Sequence, residues 1–174
     1  MVNEKSLLDG GEPLEIERKF LIQYPDTAAL EEMGCRKVEI RQDYLPNINN
    51  KVRRVRKAVS DDGTRYYYTE KFRLSDTVRI EREKEISEEE YGELFDERAE
   101  GSNPVIKTRY YYYEGDFCFE IDLCPQWDSQ AVVEVELPTE TTAVKLPEWM
   151  KSIREVTADK RYKNEYLAFN GFEQ

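Results

Sequence analysis

The sequence predicts a mainly β (α+β) fold of eight antiparallel strands, and three observations lead there. Period-two alternation of apolar and charged residues recurs along the chain, the pattern of half-buried strands. Turn-forming clusters separate most of these segments by a few residues, too few for the crossovers that parallel strands need. Segments with helical spacing are few and short. The chain has 174 residues, enough for one core, and 14–174 reads as a single domain behind an N-terminal extension at 1–13.

The first strand, at 14–22, sets Glu15, Glu17 and Lys19 against Ile16, Phe20 and Ile22. A helix at 26–33 follows Pro25 and stops at Gly34. Strands at 37–45 and 52–59 turn at Pro46-Asn47, and strands at 65–73 and 78–86 follow Asp61-Asp62-Gly63. Ser87 and Glu90 stand in capping-box spacing at the start of a helix over 87–97, which carries Tyr91, Leu94 and Phe95 as an apolar stripe. Strands at 105–113 and 116–123 are joined at Glu114-Gly115-Asp116, and the eighth, 131–137, follows the turn-rich stretch 125–129. A short helical turn at 148–153 after Pro147 and a last helix at 163–169 before Gly171 complete the reading.

Alternate side chains of a strand point to opposite faces, so the charges can be sorted. Glu15, Glu17 and Lys19 share a face. So do Arg54 with Arg56, Thr69 with Lys71, and Arg79 with Glu81 and Glu83. Lys107 with Arg109, Glu120 with Asp122, and Glu134 with Glu136 do the same. Two arrangements accommodate such a face. It is the solvated side of an ordinary antiparallel sheet, or the inside of a closed eight-stranded barrel whose enclosed carboxylates and cations require a ligand that pairs with both. A metal-bound polyphosphate is such a ligand. Adjacent tyrosines in Tyr66-Tyr67-Tyr68 and Tyr110 to Tyr113 fall on opposite faces and form no single stacking platform.

The 26 Lys and Arg against 37 Asp and Glu give a net charge of -11, which argues against nucleic acid and anionic membranes as partners. Histidine is absent, so a metal would rest on carboxylates, favouring Mg2+ or Mn2+. Cys35, Cys118 and Cys124 lack the spacing of a zinc or disulfide framework. No stretch reads as a membrane span or signal peptide, so the expected location is cytoplasmic.

The run Glu15-Ile16-Glu17-Arg18-Lys19 resembles the ExExK signature of the CYTH superfamily, the triphosphate tunnel metalloenzymes. Its companions follow in order: Arg41 to Leu45, Arg54-Val55-Arg56, Thr69-Glu70-Lys71, Arg79 to Glu83, Lys107-Thr108-Arg109, Glu120-Ile121-Asp122, Glu134-Val135-Glu136, and Glu155-Val156-Thr157 leading to Asn164. The resemblance implies the closed tunnel and, with it, hydrolysis of a triphosphate, foremost inorganic tripolyphosphate to pyrophosphate and phosphate. The alternatives are a class IV adenylyl cyclase, a thiamine or nucleoside triphosphatase, and a polyphosphate-binding module without turnover. It implies Glu15, Glu17, Asp122, Glu134 and Glu136 as metal ligands, with Glu120 a weaker candidate. Lys19, Arg54, Arg56, Lys71, Arg79, Lys107, Arg109 and Arg161 are implied as substrate contacts, and Lys107 and Tyr44 in activating the attacking water. Glu81 and Glu83 stand either as ligands or as orienting partners of neighbouring cations. Arg53 would exchange with Arg54 or Arg56 if a bulge shifted the register. The expected partner is a small polyanion, and a homodimer stays open.

Overall fold

The structure, a computed structural model, describes residues 13–172; apart from Pro13, the extension at 1–13 lies outside them. Nine strands appear among the described residues: β1 (Leu14–Gln23), β2 (Arg36–Ile48), β3 (Lys51–Ser60), β4 (Gly63–Arg73), β5 (Val78–Ile86), β6 (Val105–Glu114), β7 (Phe117–Leu123), β8 (Gln130–Glu136) and β9 (Ser152–Glu155). Among the described residues three helices accompany them: α1 (Thr27–Glu32), α2 (Glu88–Asp96) and α3 (Asn164–Asn170). All the pairings are antiparallel, in the order β5-β4-β3-β2-β6-β7-β8-β1-β9, and β5 also pairs with β1. Eight strands therefore close a ring, as the resemblance implies.

The closing seam is short. Leu14, Glu15 and Ile16 pair with Ile80, Arg79 and Val78, and the Glu17 and Glu81 amides donate to the carbonyls of Thr77 and Pro13 at 3.0 and 3.1 Å. Beyond Ile16, β9 takes this edge of β1, pairing Glu155 with Phe20 and Arg154 with Leu21. That corrects the expected helical turn at 148–153. Pro147 does start a turn, closed by the Met150 amide at 2.9 Å, but the chain then meets an edge with unpaired backbone groups and extends along it. The β2–β3 turn also shifts. Asn49 and Asn50 both have positive φ, at 52° and 60°, as a two-residue hairpin turn requires, so β2 runs past Pro46 through a register irregularity to Ile48.

Directly paired residues share a face, and the registers put one parity inside all round the ring. The outward faces carry the apolar residues. Ile16, Phe20, Ile22, Phe119, Ile121, Val133 and Val135 pack with Leu30 of α1 and with Leu137 and Met150. Leu45, Val55, Tyr66 and Ile86 lie under Tyr91 and Leu94 of α2, which starts with the expected Ser87–Glu90 capping box. At the end of the ring where β1 finishes, inward parity changes from ionic to apolar. Leu21, Val105 and Val132 pack with Trp127, Val156 and Leu167, placing α3 against that end.

Because the packed side of this ring is its outside, Ile121→Ala should cost about 2–5 kcal/mol in chemical denaturation. Ile106→Ala, on the same outward parity but 42% exposed, should cost no more than about 0.5 kcal/mol.

Candidate active site

The ring encloses a cavity of about 380 Å³ lined almost wholly by polar side chains. Its charges are sorted by strand. Adjacent strands β1, β8 and β7 contribute Glu15, Glu17, Glu134, Glu136 and Glu120 with one cation, Lys19, while β3, β4 and β5 contribute Arg54, Arg56, Lys71, Arg73 and Arg79 with two acids, Glu81 and Glu83. In the ring order, β8 lies opposite β3 and β7 opposite β4. A carboxylate wall thus faces a cationic wall.

The cationic wall is held by its own acids. Glu83 accepts from Arg56 at 2.9 Å and from the Thr69 hydroxyl at 2.8 Å. Lys71 pairs with Glu81 at 2.7 Å and Glu15 at 3.3 Å. Glu81 and Glu83 are accordingly orienting partners. Burial alone would raise the Glu81 carboxyl, but Lys71 and Arg54 override it and hold Glu81 far below the usual carboxylate range. Burial, with the Glu81 and Glu17 carboxylates, pushes Glu15 the other way. Three buried donors on this side, Arg54 Nε, Arg56 Nε and Gln42 Nε2, have no hydrogen-bond partner among the described residues. Such groups are costly unless an acceptor arrives. β3 carries no bulge at this point, and Arg53 faces outward, donating to the Tyr68 hydroxyl and the Pro46 carbonyl.

Arg109 organises the carboxylate wall. Its guanidinium donates to Asp122 at 2.6 and 2.8 Å, to Glu134 at 2.9 Å and to Glu120. Lys19 pairs with Glu134 at 2.8 Å, and Arg79 with Glu17 at 3.2 Å. Despite its burial, Glu134 is held well below the ordinary range by Lys19, Lys107 and Arg109, whereas burial, aided by Glu134 and Asp122, pushes Glu120 up to about 7. Glu15, Glu17, Glu120 and Glu134 are each turned onto a cation, and among the described residues no three acidic or thiol side chains converge on one point. The donor chemistry nevertheless suits a hard divalent cation. Glu15 and Glu17 share one face of β1, and Glu17 pairs across strands with Glu136 beside Glu134 on β8, giving four carboxylates on two adjacent strands with Glu120 opposite Glu134 on the third, opposed pairs lying about 5 Å apart at Cβ.

Most residues expected from the sequence meet in this cavity, including Tyr44, which sits beside Arg54 on the neighbouring strand. Three do not line it. Lys107 is 1% exposed and bonded to Asp122 at 2.5 Å, so both lie behind Arg109. Arg161 pairs with Asp159 on the outside at 2.7 Å. Sequence reasoning missed Arg73, Gln42 and Tyr111, although each has the inward parity of an assigned neighbour: Lys71, Tyr44 and Arg109. It also missed Lys163, which follows the 3-10 turn Lys160–Tyr162 and has no strand periodicity to betray it. Burial, Arg73, Arg79 and Lys19 lower the Lys163 ammonium to about 8.

The ring and its two sorted walls define a class of protein, the antiparallel ionic tunnel. No family model matches the chain. It is 34% identical over 160 residues to an inorganic triphosphatase of Acetivibrio thermocellus, covering 91% of this chain and 95% of the relative. Among solved structures it is similar to the inorganic triphosphatase NE1496, with 33% identity, a TM-score of 0.57, and 91% of this chain and 97% of the other covered. The PH1819 protein of Pyrococcus horikoshii, at 21% identity, a TM-score of 0.53, and 73% and 80% coverage, shares the fold. The chain belongs to the CYTH superfamily of triphosphate tunnel enzymes.

Removing Lys107 leaves Asp122 without one of its two cations in a closed interior. Lys107→Met should therefore lower the unfolding free energy by about 3–5 kcal/mol in urea titration; a variant as stable as the parent would mean that Arg109 alone satisfies Asp122. Lys163 gives a pH signature. With its charged form disfavoured in the fold, the unfolded chain binds more protons between pH 8 and about 10.5, so this group's contribution makes stability rise with pH across that window. Lys163→Met should remove that rise from a pH series of thermal midpoints.

Proposed function

We propose that this protein hydrolyses the terminal anhydride of a short inorganic polyphosphate, foremost tripolyphosphate, to pyrophosphate and phosphate with Mg2+ or Mn2+. The observation that carries the reading is the carboxylate wall facing unsatisfied arginine donors across one enclosed cavity. The named activity of the two relatives, each at least 33% identical, supports it.

Phosphoryl transfer asks the protein chiefly for positioning and charge. Arg54, Arg56, Lys71 and Arg79 grip phosphate oxygens, with guanidinium forks suited to two oxygens at once. Glu81 and Glu83 keep the lysine and arginine heads aimed. Glu15, Glu17, Glu134 and Glu136 would hold the divalent ion, with Asp122 and Lys19 fixed close behind through Arg109 and Glu134. Bound there, such an ion would supply charge neutralisation at the phosphate oxygens. Water attacks the terminal phosphorus, the bond to the bridging oxygen breaks, and pyrophosphate leaves. Tyr44 lines the cavity, where it orients the water. Burial and Arg109 lower the Lys107 pKa, against the restraint of Asp122; because Lys107 lies outside the cavity lining and is bonded to Asp122, its part is to fix Asp122 behind Arg109 rather than to meet the attacking water. Three free thiols, at Cys35, Cys118 and Cys124, and the lack of any described helix long and apolar enough to cross a membrane fit a cytoplasmic enzyme.

Glu15→Gln and Glu17→Gln should each abolish metal-dependent phosphate release from tripolyphosphate while leaving the circular dichroism spectrum unchanged; full activity in both would sink the assignment. Parallel incubations with ATP and thiamine triphosphate identify the products. Cyclic AMP would replace this reading with a cyclase, and tight binding without phosphate release with a polyphosphate-binding module.

A further inference from the structure

One end of the cavity lies between the β4–β5 turn and the start of α3. Arg73, Ser75 and Asp76 line it from the turn, and Lys163, Asn164 and Glu165 from the helix side. Cations gather here: Lys19 and Arg79 reach it from β1 and β5, paired with Glu134 and with Glu15 and Glu17, and burial, together with Arg73, Arg79 and Lys19, lowers the Lys163 ammonium. Like charges gathered at one point are unfavourable unless an anion joins them. The acid that meets Arg73 and Lys163 is Asp76, which accepts from Arg73 and lies 3.6 Å from Lys163 Nζ.

The turn presenting Asp76 is well tied. Ser75 Oγ accepts the amides of Thr77 and Val78 at 3.3 and 3.0 Å, the Leu74 amide donates to the Val78 carbonyl at 2.9 Å, and the Thr77 hydroxyl donates to Glu140 at 2.6 Å. Across the gap, Lys19 donates to the Tyr162 carbonyl at 3.2 Å, tethering the residue before Lys163 to β1. Arg73 stands two residues beyond Lys71 on one face of β4, about 7 Å further along the strand. A chain of phosphates held at Arg54 and Lys71 and continuing in that direction runs into Arg73 and Lys163.

We infer that Arg73 and Lys163 form an additional phosphate subsite at this end of the tunnel, with the Asp76 carboxylate standing where a phosphate oxygen binds. The subsite rests on the proposed function and deepens it, because it sets which length of polyphosphate the tunnel prefers. A tripolyphosphate that fills the sites at Arg54, Arg56 and Lys71 barely reaches it, whereas a tetrapolyphosphate must displace Asp76 and gains two cations in return.

The test measures binding of linear tripolyphosphate and tetrapolyphosphate by titration calorimetry without divalent ions, and KM for both with Mg2+. Lys163→Met should weaken tetrapolyphosphate about tenfold, as loss of one charge-assisted hydrogen bond implies, and tripolyphosphate less than about threefold. Asp76→Asn, on an exposed turn, should tighten tetrapolyphosphate and carries the test if Lys163→Met does not fold. Lys145→Met, exposed and outside both the strands and the cavity lining, controls for net charge. Equal losses for both ligands, or no change in either, would overturn the subsite. If the length-selective binding changes occur but the parent releases no phosphate, the subsite stands and the hydrolytic reading fails. If the parent hydrolyses tripolyphosphate but the variants show no length selectivity, the reverse holds.

Discussion

A ring of eight strands with one charged parity turned inward has to neutralise those charges within its own walls, and the architecture depends on how it does so. Carboxylates and cations enclosed together cannot be satisfied by water as surface groups are, and an unpaired member is costly. Arg109 shows the solution at its most demanding, a single guanidinium serving Glu120, Asp122 and Glu134 on two neighbouring strands. On the far side, Glu81 and Glu83 do the same for Lys71 and Arg56. This pairing leaves Arg54 Nε and Arg56 Nε over as donors once the neighbouring acids are engaged. They make the tunnel receptive to an anion without collapsing it.

The same constraint dictates the exterior. With the ionic parity inside, the apolar parity faces out and has to be covered, which is why α1, the segment around Met150, and α2 are laid against the ring rather than inserted into it. It also explains the change of character along β1. Glu15, Glu17 and Lys19 project into the cavity, while Leu21, two residues later on the same face, joins the apolar group beneath α3. The cavity is therefore ionic over part of the ring's length and closed by packing at one end. The net charge of -11 is an exterior property, and it says little about the nearly balanced interior.

How much of this is legible in the sequence follows from periodicity. Period two is enough by itself to place Glu134 and Glu136, or Arg54 and Arg56, on one face of a strand. The eight strands and the Ser87 capping box are readable for the same local reason. Closure is not, since a solvated sheet and a closed ring share one alternation; only the resemblance separates them, and the three-residue β1–β5 seam then carries it. β9 escapes because Ser152–Glu155 is extended by an available edge, not by its own pattern. Lys107 and Arg109 look equivalent by parity, yet depth along the ring leaves Arg109 lining the cavity and Lys107 sealed against Asp122. Arg161 and Lys163 reverse because Arg161 lies within the 3-10 turn Lys160–Tyr162 and Lys163 directly after it, where no strand periodicity tells which of the two enters the tunnel.

The central claim is that the facing walls form one site for a polyanion and a divalent ion, and the most direct measurement is the unfolding free energy with and without tripolyphosphate at fixed Mg2+. Ligand at 100 times its dissociation constant should stabilise the protein by about 2.7 kcal/mol, and the gain should largely vanish in an Arg54→Met, Arg56→Met double variant. Stabilisation that persists undiminished in that variant, or none in the parent at any ligand concentration, would contradict it.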